Sequence, residues 1–270
     1  MYHETISLKV PGSSMPVDLI AYLPDVYEEI DPERKRRTVI LCPGGAYAFL
    51  SDRESEPVAL KLTAAGFNVF ILKYHTAPEA HFPVPQLELA AAVKYVRDNA
   101  DQYHVMHDKL IVMGFSAGGH LACSLATWFK ENLFLPVSED PYILRPDGLL
   151  LCYPVITGGE FTHTGSMRNL YNTGSRKVWE SRSLENYVHE EMPPTFIWST
   201  WEDDLVENSL LLAQALRESN INTELHIFPH GVHGLSLDTE EVFGPNTRKK
   251  LSYPEIQIWI DLAIRWIRNL

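Results

Sequence analysis

Short apolar runs recur along the chain and are separated by longer stretches with helical spacing of apolar residues. The runs lie at residues 38–42, 67–72, 110–113, 148–153 and 195–199, with a further strand pattern at 223–228. Helical patterns cover residues 55–65, 85–99, 116–130 and 207–219. Uninterrupted apolar runs are typical of strands buried on both faces, and strands that alternate with helices form parallel sheets. The pattern predicts an α/β protein with a mostly parallel central sheet and helices on both faces.

Both ends of the chain depart from this alternation. Two strand patterns at 5–10 and 17–23 flank a Pro-Gly-Ser-Ser turn, and we expect them to form an antiparallel edge. The last stretch, 254–270, predicts a closing helix that is apolar nearly all round. Such a helix is either docked deeply or shared with a partner subunit, so a homo-oligomer stays open.

Residues 155–193 interrupt the rhythm because they are rich in Gly, Thr, Ser, Asn and Arg and show little periodicity. A segment of this length inside a compact domain is typical of a lid or an inserted cap. No linker divides the chain elsewhere. The prediction is therefore one α/β domain over residues 1–270 with a short lid-like insertion at 155–193.

Composition excludes several classes of partner. The chain has 23 Lys+Arg against 35 Asp+Glu, a formal net charge of −12, and its one basic run, 34–37, indicates a solvated loop rather than a nucleic-acid site. Three cysteines without a Cys-x-x-Cys pair fit a reducing compartment. No stretch approaches the ~18 apolar residues of a membrane helix, and the N-terminus lacks a signal-like pattern. We expect no membrane partner and a cytoplasmic location.

The strongest chemical signal is the sequence Gly114-Phe115-Ser116-Ala117-Gly118. A strand pattern precedes it and a helix pattern follows, so the chain must turn sharply and leave the Ser116 hydroxyl exposed at the helix N-terminus. There, the backbone N–H of Ala117 can point at a developing oxyanion. We interpret Ser116 as a candidate nucleophile, with an ordinary glycine-rich turn as the alternative.

A serine nucleophile needs a base, and the base needs an acid that orients it. In proteins with this kind of turn, the acid follows the serine along the chain and the base follows the acid. Acidic candidates, Glu202, Asp203 and Asp204, come directly after the strand at 195–199. After the strand at 223–228, His233 lies between small residues and is the preferred base, with His230 as its competitor. Because loops at the carboxyl ends of parallel strands share one crevice, we expect these side chains to meet.

Histidines near this last strand allow another interpretation, a metal site built from His226, His230 and His233. His226 lies inside the strand, whose alternation directs it away from the loop residues, and no His-Glu-x-x-His spacing is present. We therefore expect no metal site and no cofactor.

The loop after the strand at 38–42 reads Cys-Pro-Gly-Gly-Ala-Tyr and covers residues 42–47. Paired glycines let bare N–H groups face a ligand, and the loop precedes the serine turn in sequence. It is the candidate second half of an oxyanion hole, against the alternative of a simple Pro-Gly turn.

Taken together, these motifs resemble the α/β-hydrolase superfamily. Within it, the chain is similar to the bacterial acetylxylan esterase and feruloyl esterase-like branch, which is related to the hormone-sensitive-lipase group. The resemblance runs over roughly residues 37 to 240. It rests on CPGGAY with SDRESEPVA, LKYHTAP, GFSAGGHLA, YPVIT, PPTFIW followed by ENSL, and HIFPHGVHG.

The resemblance implies that Ser116 is the nucleophile, Asp203 the acid and His233 the base. It places the oxyanion donors on the backbone N–H groups of Gly45 or Ala46 and of Ala117. Two positions depart from the wider pattern. Pro43 stands where the lipase-type loop has His, as in the xylan-esterase-like branch. Val206 runs directly into Glu-Asn-Ser, which shortens the loop of the acid by two residues and leaves the choice between Asp203 and Asp204 open.

These assignments predict a serine ester hydrolase for short-acyl esters, with acetylated xylo-oligosaccharides or related sugars as its small-molecule or oligosaccharide partners. Tyr47, Phe49 and Trp201 are candidate walls of the substrate site, and Tyr153 is a further one whose place at a strand end favours the core. Two alternatives stay open. One is an arylformamidase or peptidase on the same fold, and the other is a catalytically silent protein used for binding.

Overall fold

A single sheet organises the computed structural model, which describes residues 1–11, 13–248 and 251–270. Its strands follow the order β1-β2-β4-β3-β5-β6-β7-β8. β1 pairs antiparallel with β2 and β2 with β4, and all other pairings are parallel. The predicted central sheet and its antiparallel edge are thereby confirmed. The strands are β1 (Tyr2–Leu8), β2 (Val17–Leu23), β3 (Arg36–Cys42), β4 (Asn68–Lys73), β5 (Val105–Phe115), β6 (Gly148–Cys152), β7 (Thr195–Thr200) and β8 (Thr223–Phe228).

Helices cover both faces of the sheet, as the alternation of patterns predicts. Neighbouring residues of β3 point to opposite sides. Ile40 packs in the core under the helices at 84–98, 117–128 and 206–218, and Leu41 packs in the core under the helices at 56–64 and 259–269. No helix in the described ranges is long and apolar enough to cross a membrane. The helices are α1 (Glu56–Ala64), α2 (Val84–Asp98), α3 (Ala117–Trp128), α4 (Thr164–Tyr171), α5 (Arg176–Glu180), α6 (Val206–Glu218), α7 (Pro245–Arg248) and α8 (Trp259–Asn269).

The C-terminal helix is shorter than the sequence pattern predicts. Residues Pro254–Ile258 form a 3₁₀ turn and only then does α8 begin. Trp259 stacks on Trp198 of β7 with ring centroids 4.9 Å apart, and Ile267 is fully buried. Ile258, which lies off the main apolar face, is exposed. The broad apolar face of α8 is therefore accounted for by the chain's own sheet.

Residues 155–193 hold two short helices, α4 and α5, and a 3₁₀ turn at Leu184–Tyr187, where the sequence shows little periodicity. Elements this short contain too few turns for a hydrophobic period to show. Hydrogen bonds attach the segment to the main body. Leu170 accepts a bond from the N–H of Phe82 at 2.7 Å, and Asn169 donates to the carbonyl of Ala46 at 2.8 Å. Its action as a lid stays a prediction.

The start of α3 packs directly against the end of β3. A Cβ placed on Gly118 would lie 2.1 Å from the carbonyl oxygen of Cys42 and 2.4 Å from that of Pro43. Real Cβ atoms do not approach backbone oxygens so closely, because interiors are packed to contact distance. Glycine at position 118 is therefore what lets the helix carrying the serine turn lie against the loop at 42–47.

Gly118→Ala should lower the free energy of unfolding by ~2–3 kcal/mol, because backbone must move to accommodate the methyl group. Gly174→Ala is the matched control, since a Cβ there meets nothing within 4 Å and the change should stay within ~0.5 kcal/mol. Urea unfolding followed by circular dichroism measures both. Equal stability of the two variants would contradict the close contact at position 118.

Candidate active site

The candidate residues lie on loops at one edge of the sheet. The loop at 43–47 follows β3, Ser116 follows β5, Asp203 follows β7 and His233 follows β8. These strands are parallel to one another, so their carboxyl ends lie on the same side. The fold thus brings together residues that are up to about 190 positions apart in the chain.

Ser116 occupies a strained turn between β5 and α3. Its φ is +51° and its ψ −116°, a conformation that residues with a Cβ rarely adopt. Backbone hydrogen bonds hold it there: its N–H donates to Cys152 at 3.0 Å, and its carbonyl accepts from Val155 at 3.0 Å and from His120 at 3.1 Å. The serine is fixed from both sides, and its side chain is left to face the histidine loop.

Two hydrogen bonds connect serine, histidine and aspartate in one chain. Nε2 of His233 lies 2.8 Å from Oγ of Ser116, and Nδ1 lies 2.8 Å from Oδ2 of Asp203. A carboxylate only accepts, so Nδ1 carries the proton and Nε2 accepts the serine O–H. This arrangement can move the Ser116 proton to the imidazole while Asp203 stabilises the resulting charge.

The structure places Asp203, not Asp204, against the histidine. The Asp203 side chain is 1% exposed, and its Oδ1 accepts the N–H of Leu205 at 2.9 Å, whereas Asp204 is exposed. The shortened acid loop therefore does not shift the contact by one residue.

The competing histidines each have another partner. His230 pairs with Glu202 at 2.9 Å, and this hydrogen bond raises the pKa of His230 and lowers that of Glu202. His226 pairs with Glu224 at 2.8 Å. Within the described ranges, no group of three metal-ligating side chains comes together, so the three histidines do not share a centre.

In the loop after β3, the N–H of Gly44 donates to Glu54, whereas the next two N–H groups have no internal acceptor among the described residues. Positive φ values occur at Gly45 (126°), Ala46 (57°) and Tyr47 (55°), so this turn is left-handed over three residues. Among the described residues, none accepts the N–H of Gly45, Ala46 or Ala117, and Ala117 is the first residue of α3. These three donors lie on the two loops that flank Ser116 and are available to a ligand oxygen.

The three predicted wall residues end up in different surroundings. Phe49 is 60% and Trp201 64% exposed, so both can contact a ligand. Tyr47 is only 1% exposed, and its hydroxyl lies 2.9 Å from Nδ1 of His120. The left-handed backbone at position 47 turns this ring inward, so Tyr47 supports the loop from below and does not form an open wall. Tyr153 is buried as well.

Sequence reasoning missed Glu54, which lies inside the quoted motif SDRESEPVA. Its side chain is buried, and it accepts hydrogen bonds from the N–H of Gly44 at 2.9 Å and from the hydroxyl of Tyr153 at 2.7 Å. A charged residue just before a predicted helix is ordinarily expected to be exposed. Only the packing of three loops against one another shows that Glu54 is buried.

His163 was missed too, because it lies in the irregular segment. It caps the N-terminus of α4, where Nδ1 accepts the N–H of Ser166 at 3.3 Å, so the ring proton is on Nε2. Burial lowers the pKa of His163, and the charges of His233 and Asp203 also act on it. The segment at 155–193 thus brings a neutral hydrogen-bond donor close to the site.

A mostly parallel sheet, a strained serine between strand and helix, and a histidine and an aspartate on later loops define an α/β hydrolase. The chain belongs to the alpha/beta hydrolase fold family, whose model matches residues 39–237.

Relatives of known name agree with this assignment. The chain is 37% identical over 231 residues to endo-1,4-beta-xylanase B of Butyrivibrio fibrisolvens, a match that covers 82% of this chain and 36% of that protein. It is 30% identical over 212 residues to an acetylxylan esterase of Xylanibacter ruminicola, covering 75% of this chain and 42% of that one. The chain thus spans less than half the length of these two relatives.

Solved structures match over nearly the whole chain. The acetyl ester-xyloside bifunctional hydrolase from Caldicellulosiruptor lactoaceticus superposes with a TM-score of 0.79 at 33% identity, covering 98% of this chain and 96% of that chain. A carboxylesterase from Lactobacillus plantarum gives a TM-score of 0.85 at 26% identity, covering 100% and 98%.

The geometry makes a prediction about Asp203 that needs no substrate. A fluorophosphonate probe should label the wild type, and Asp203→Asn should slow labelling by up to about 10⁴-fold, because the histidine then adopts the wrong tautomer. Asp204→Asn is the matched control and should react within a few-fold of the wild type. Labelling is measured by intact-protein mass spectrometry over time, and a slow Asp204 variant beside a fast Asp203 variant would reverse the assignment.

Proposed function

We propose that the protein is a serine ester hydrolase. The observation that carries this proposal is the chain of two 2.8 Å hydrogen bonds from Ser116 through His233 to Asp203. A serine hydroxyl is a weak nucleophile until a base removes its proton, and this chain supplies the base together with the group that orients it.

In the proposed reaction, Oγ of Ser116 attacks the ester carbonyl carbon while Nε2 of His233 takes the hydroxyl proton. The N–H groups of Gly45, Ala46 and Ala117 stabilise the oxyanion of the tetrahedral intermediate. His233 then gives its proton to the leaving alcohol. A water molecule, deprotonated by His233, cleaves the acyl-serine and restores the hydroxyl.

We further propose that the substrates are short-acyl esters of carbohydrates, most readily acetylated xylo-oligosaccharides. Two relatives support this, since one is named an acetylxylan esterase and another an acetyl ester-xyloside hydrolase. The xylanase relative adds less, because the match covers 36% of it.

Exposed apolar side chains around the site support a carbohydrate or other ring-shaped alcohol. Phe49 follows the loop after β3, Phe161 lies in the inserted segment, Trp201 follows β7 and Val232 precedes the histidine; each is at least 40% exposed. Aromatic faces present large rigid contact area at low entropic cost. Four loops thus each expose an apolar side chain, and we call these four side chains the apolar rim; an aromatic face can pack against the C–H face of a sugar ring.

The substrate proposal predicts a chain-length series. Measured kcat/KM should fall progressively from acetyl to butyryl to octanoyl esters, because each methylene can change the activation free energy by at most ~1–3 kcal/mol. Acetate should be released from acetylated xylo-oligosaccharides. Ser116→Ala should fold normally and lose several orders of magnitude in turnover.

Other outcomes point to the alternatives. Fast cleavage of amides or formamides without acetate release would favour a peptidase or an arylformamidase, and no turnover of any ester by a labelling-inactive protein would favour a binding role. An octanoyl preference would contradict the short-acyl proposal.

The rim makes a separate prediction about Trp201. Trp201→Ala should raise KM for acetylated xylo-oligosaccharides about 10-fold, because one aromatic face is worth ~1–3 kcal/mol, and should leave turnover of 4-nitrophenyl acetate within a few-fold. Ile258→Ala is the matched control, since Ile258 is similarly exposed but lies in the turn before α8. An equal loss on both substrates would indicate a structural role for Trp201.

A further inference from the structure

One carboxylate in the interior, that of Glu54, accepts its hydrogen bonds from neutral groups within the part of the chain that the structure describes. Glu54 is 2% exposed and closes the short 3₁₀ turn Asp52–Glu54. Oε2 accepts the N–H of Gly44 at 2.9 Å, and Oε1 accepts the hydroxyl of Tyr153 at 2.7 Å. Both donors are neutral, and no Lys, Arg or His of the described ranges forms an ion pair with it. Burying a charged carboxylate costs free energy, so we expect the buried position of Glu54 to serve a function.

Glu54 lies directly behind the nucleophile. A Cβ placed on Gly44 would lie 2.5 Å from Oε2 of Glu54 and 3.1 Å from Cβ of Ser116. Only a residue without a side chain fits between the two groups. The carboxylate therefore sets the position of the loop that also carries the N–H groups of Gly45 and Ala46.

The same carboxylate reaches the histidine loop through Tyr153. The Tyr153 hydroxyl donates to Glu54 and accepts the N–H of Ser236 at 2.9 Å. The Tyr153 ring meets the His233 ring edge-on, with centroids 5.1 Å apart. Arg53, next to Glu54, adds two bonds: its guanidinium donates to the carbonyl of Gly234 at 3.1 Å, and its own carbonyl accepts the Ser236 hydroxyl at 2.6 Å.

We propose that Glu54 is a positioning residue that joins the oxyanion loop to the loop of the base, and so keeps the Gly45 and Ala46 N–H groups and the His233 ring in register with Ser116. This inference rests on the proposed function, because it assigns Glu54 a part in the reaction of Ser116. Glu54 itself touches neither substrate nor reacting atoms.

Electrostatics agree with this placement. Burial raises the pKa of Glu54, while the bonds from Tyr153 and Gly44 and the charges of Arg53 and His233 lower it. The net effect on the pKa of Glu54 is upward, as expected for a carboxyl group that is held in the interior by neutral donors. The ionisable groups that face Glu54 are Arg53 on its own turn, Cys152 and Tyr153 at the end of β6, Tyr74 after β4, and His233 after β8.

The test compares Glu54→Gln with Tyr153→Phe on an acetyl ester. Glu54→Gln leaves one acceptor oxygen where the carboxylate has two, so it cannot accept both the Gly44 N–H and the Tyr153 hydroxyl. It should lower kcat about 10- to 100-fold with little change in KM. Tyr153→Phe keeps the carboxylate and breaks its bond to the histidine loop, so kcat should again fall with little change in KM.

Glu56→Gln is the matched control. It makes the same change two residues away on an exposed side chain, whose described contact is with Tyr22, and it should leave both kcat and KM unchanged. Near-ultraviolet circular dichroism and the thermal midpoint report whether each variant keeps its fold.

Wild-type kcat in folded Glu54→Gln, or a rise in KM as large as the fall in kcat, would overturn the proposal. If Glu54→Gln does not fold, Glu54→Asp takes its place: its shorter side chain cannot reach both donors, so kcat should fall with little change in KM. Wild-type kcat in both Glu54→Asp and Tyr153→Phe would then overturn it. Failure of the proposed function looks different, because the wild type itself would then hydrolyse no ester and Ser116→Ala would change nothing.

Discussion

The close contact between the serine turn and the end of β3 is the constraint on which the rest of the site depends. Hydrogen bonds hold the positive-φ backbone of Ser116: its N–H donates to Cys152 at the end of β6, and its carbonyl accepts from the segment after β6 and from α3. Gly118 packs against the carbonyls of Cys42 and Pro43. This contact places the N-terminus of α3 beside the loop at 43–47. The fold therefore fixes the backbone N–H groups on the two sides of Ser116 before any ligand arrives, and fixed donors of this kind are what oxyanion stabilisation requires.

Hydrogen bonds between loops, more than order within any one loop, hold the chemical groups in register. Asp203 orients His233 from β7, and Tyr153 and Arg53 hold the segment that follows His233. The other candidate acids and bases pair with each other and not with Ser116. Glu202, for example, pairs with His230 at the surface. Buried polar groups that are fully satisfied make a site rigid, whereas the same groups half-satisfied would weaken it.

The inserted segment at 155–193 contributes to the same edge of the sheet. Asn169 bonds the carbonyl of Ala46, Asn208 of α6 donates to the carbonyl of Phe161, and the His163 ring lies within electrostatic reach of His233. Side chains beside the site therefore come also from an element outside the alternation of strands and helices. This division is common in α/β proteins, where a rigid sheet carries the chemistry and variable segments carry the specificity.

The sequence by itself determined the order of strands and helices along the chain, the antiparallel edge, the serine turn and the two loops that supply the acid and the base. Each of these follows from the local spacing of apolar residues or from the positions of glycine and proline. Only the tertiary structure decided which of several adjacent candidate residues faces the site. Asp203 and Asp204 are equivalent in sequence, yet only one side chain of an adjacent pair can face the crevice. Tyr47 looks like a wall, but its left-handed backbone turns it into the core, and α4 and α5 are too short to carry a period. Glu54 reads as a surface charge, and only the meeting of three loops buries it behind Ser116, because burial depends on contacts between residues distant in the chain.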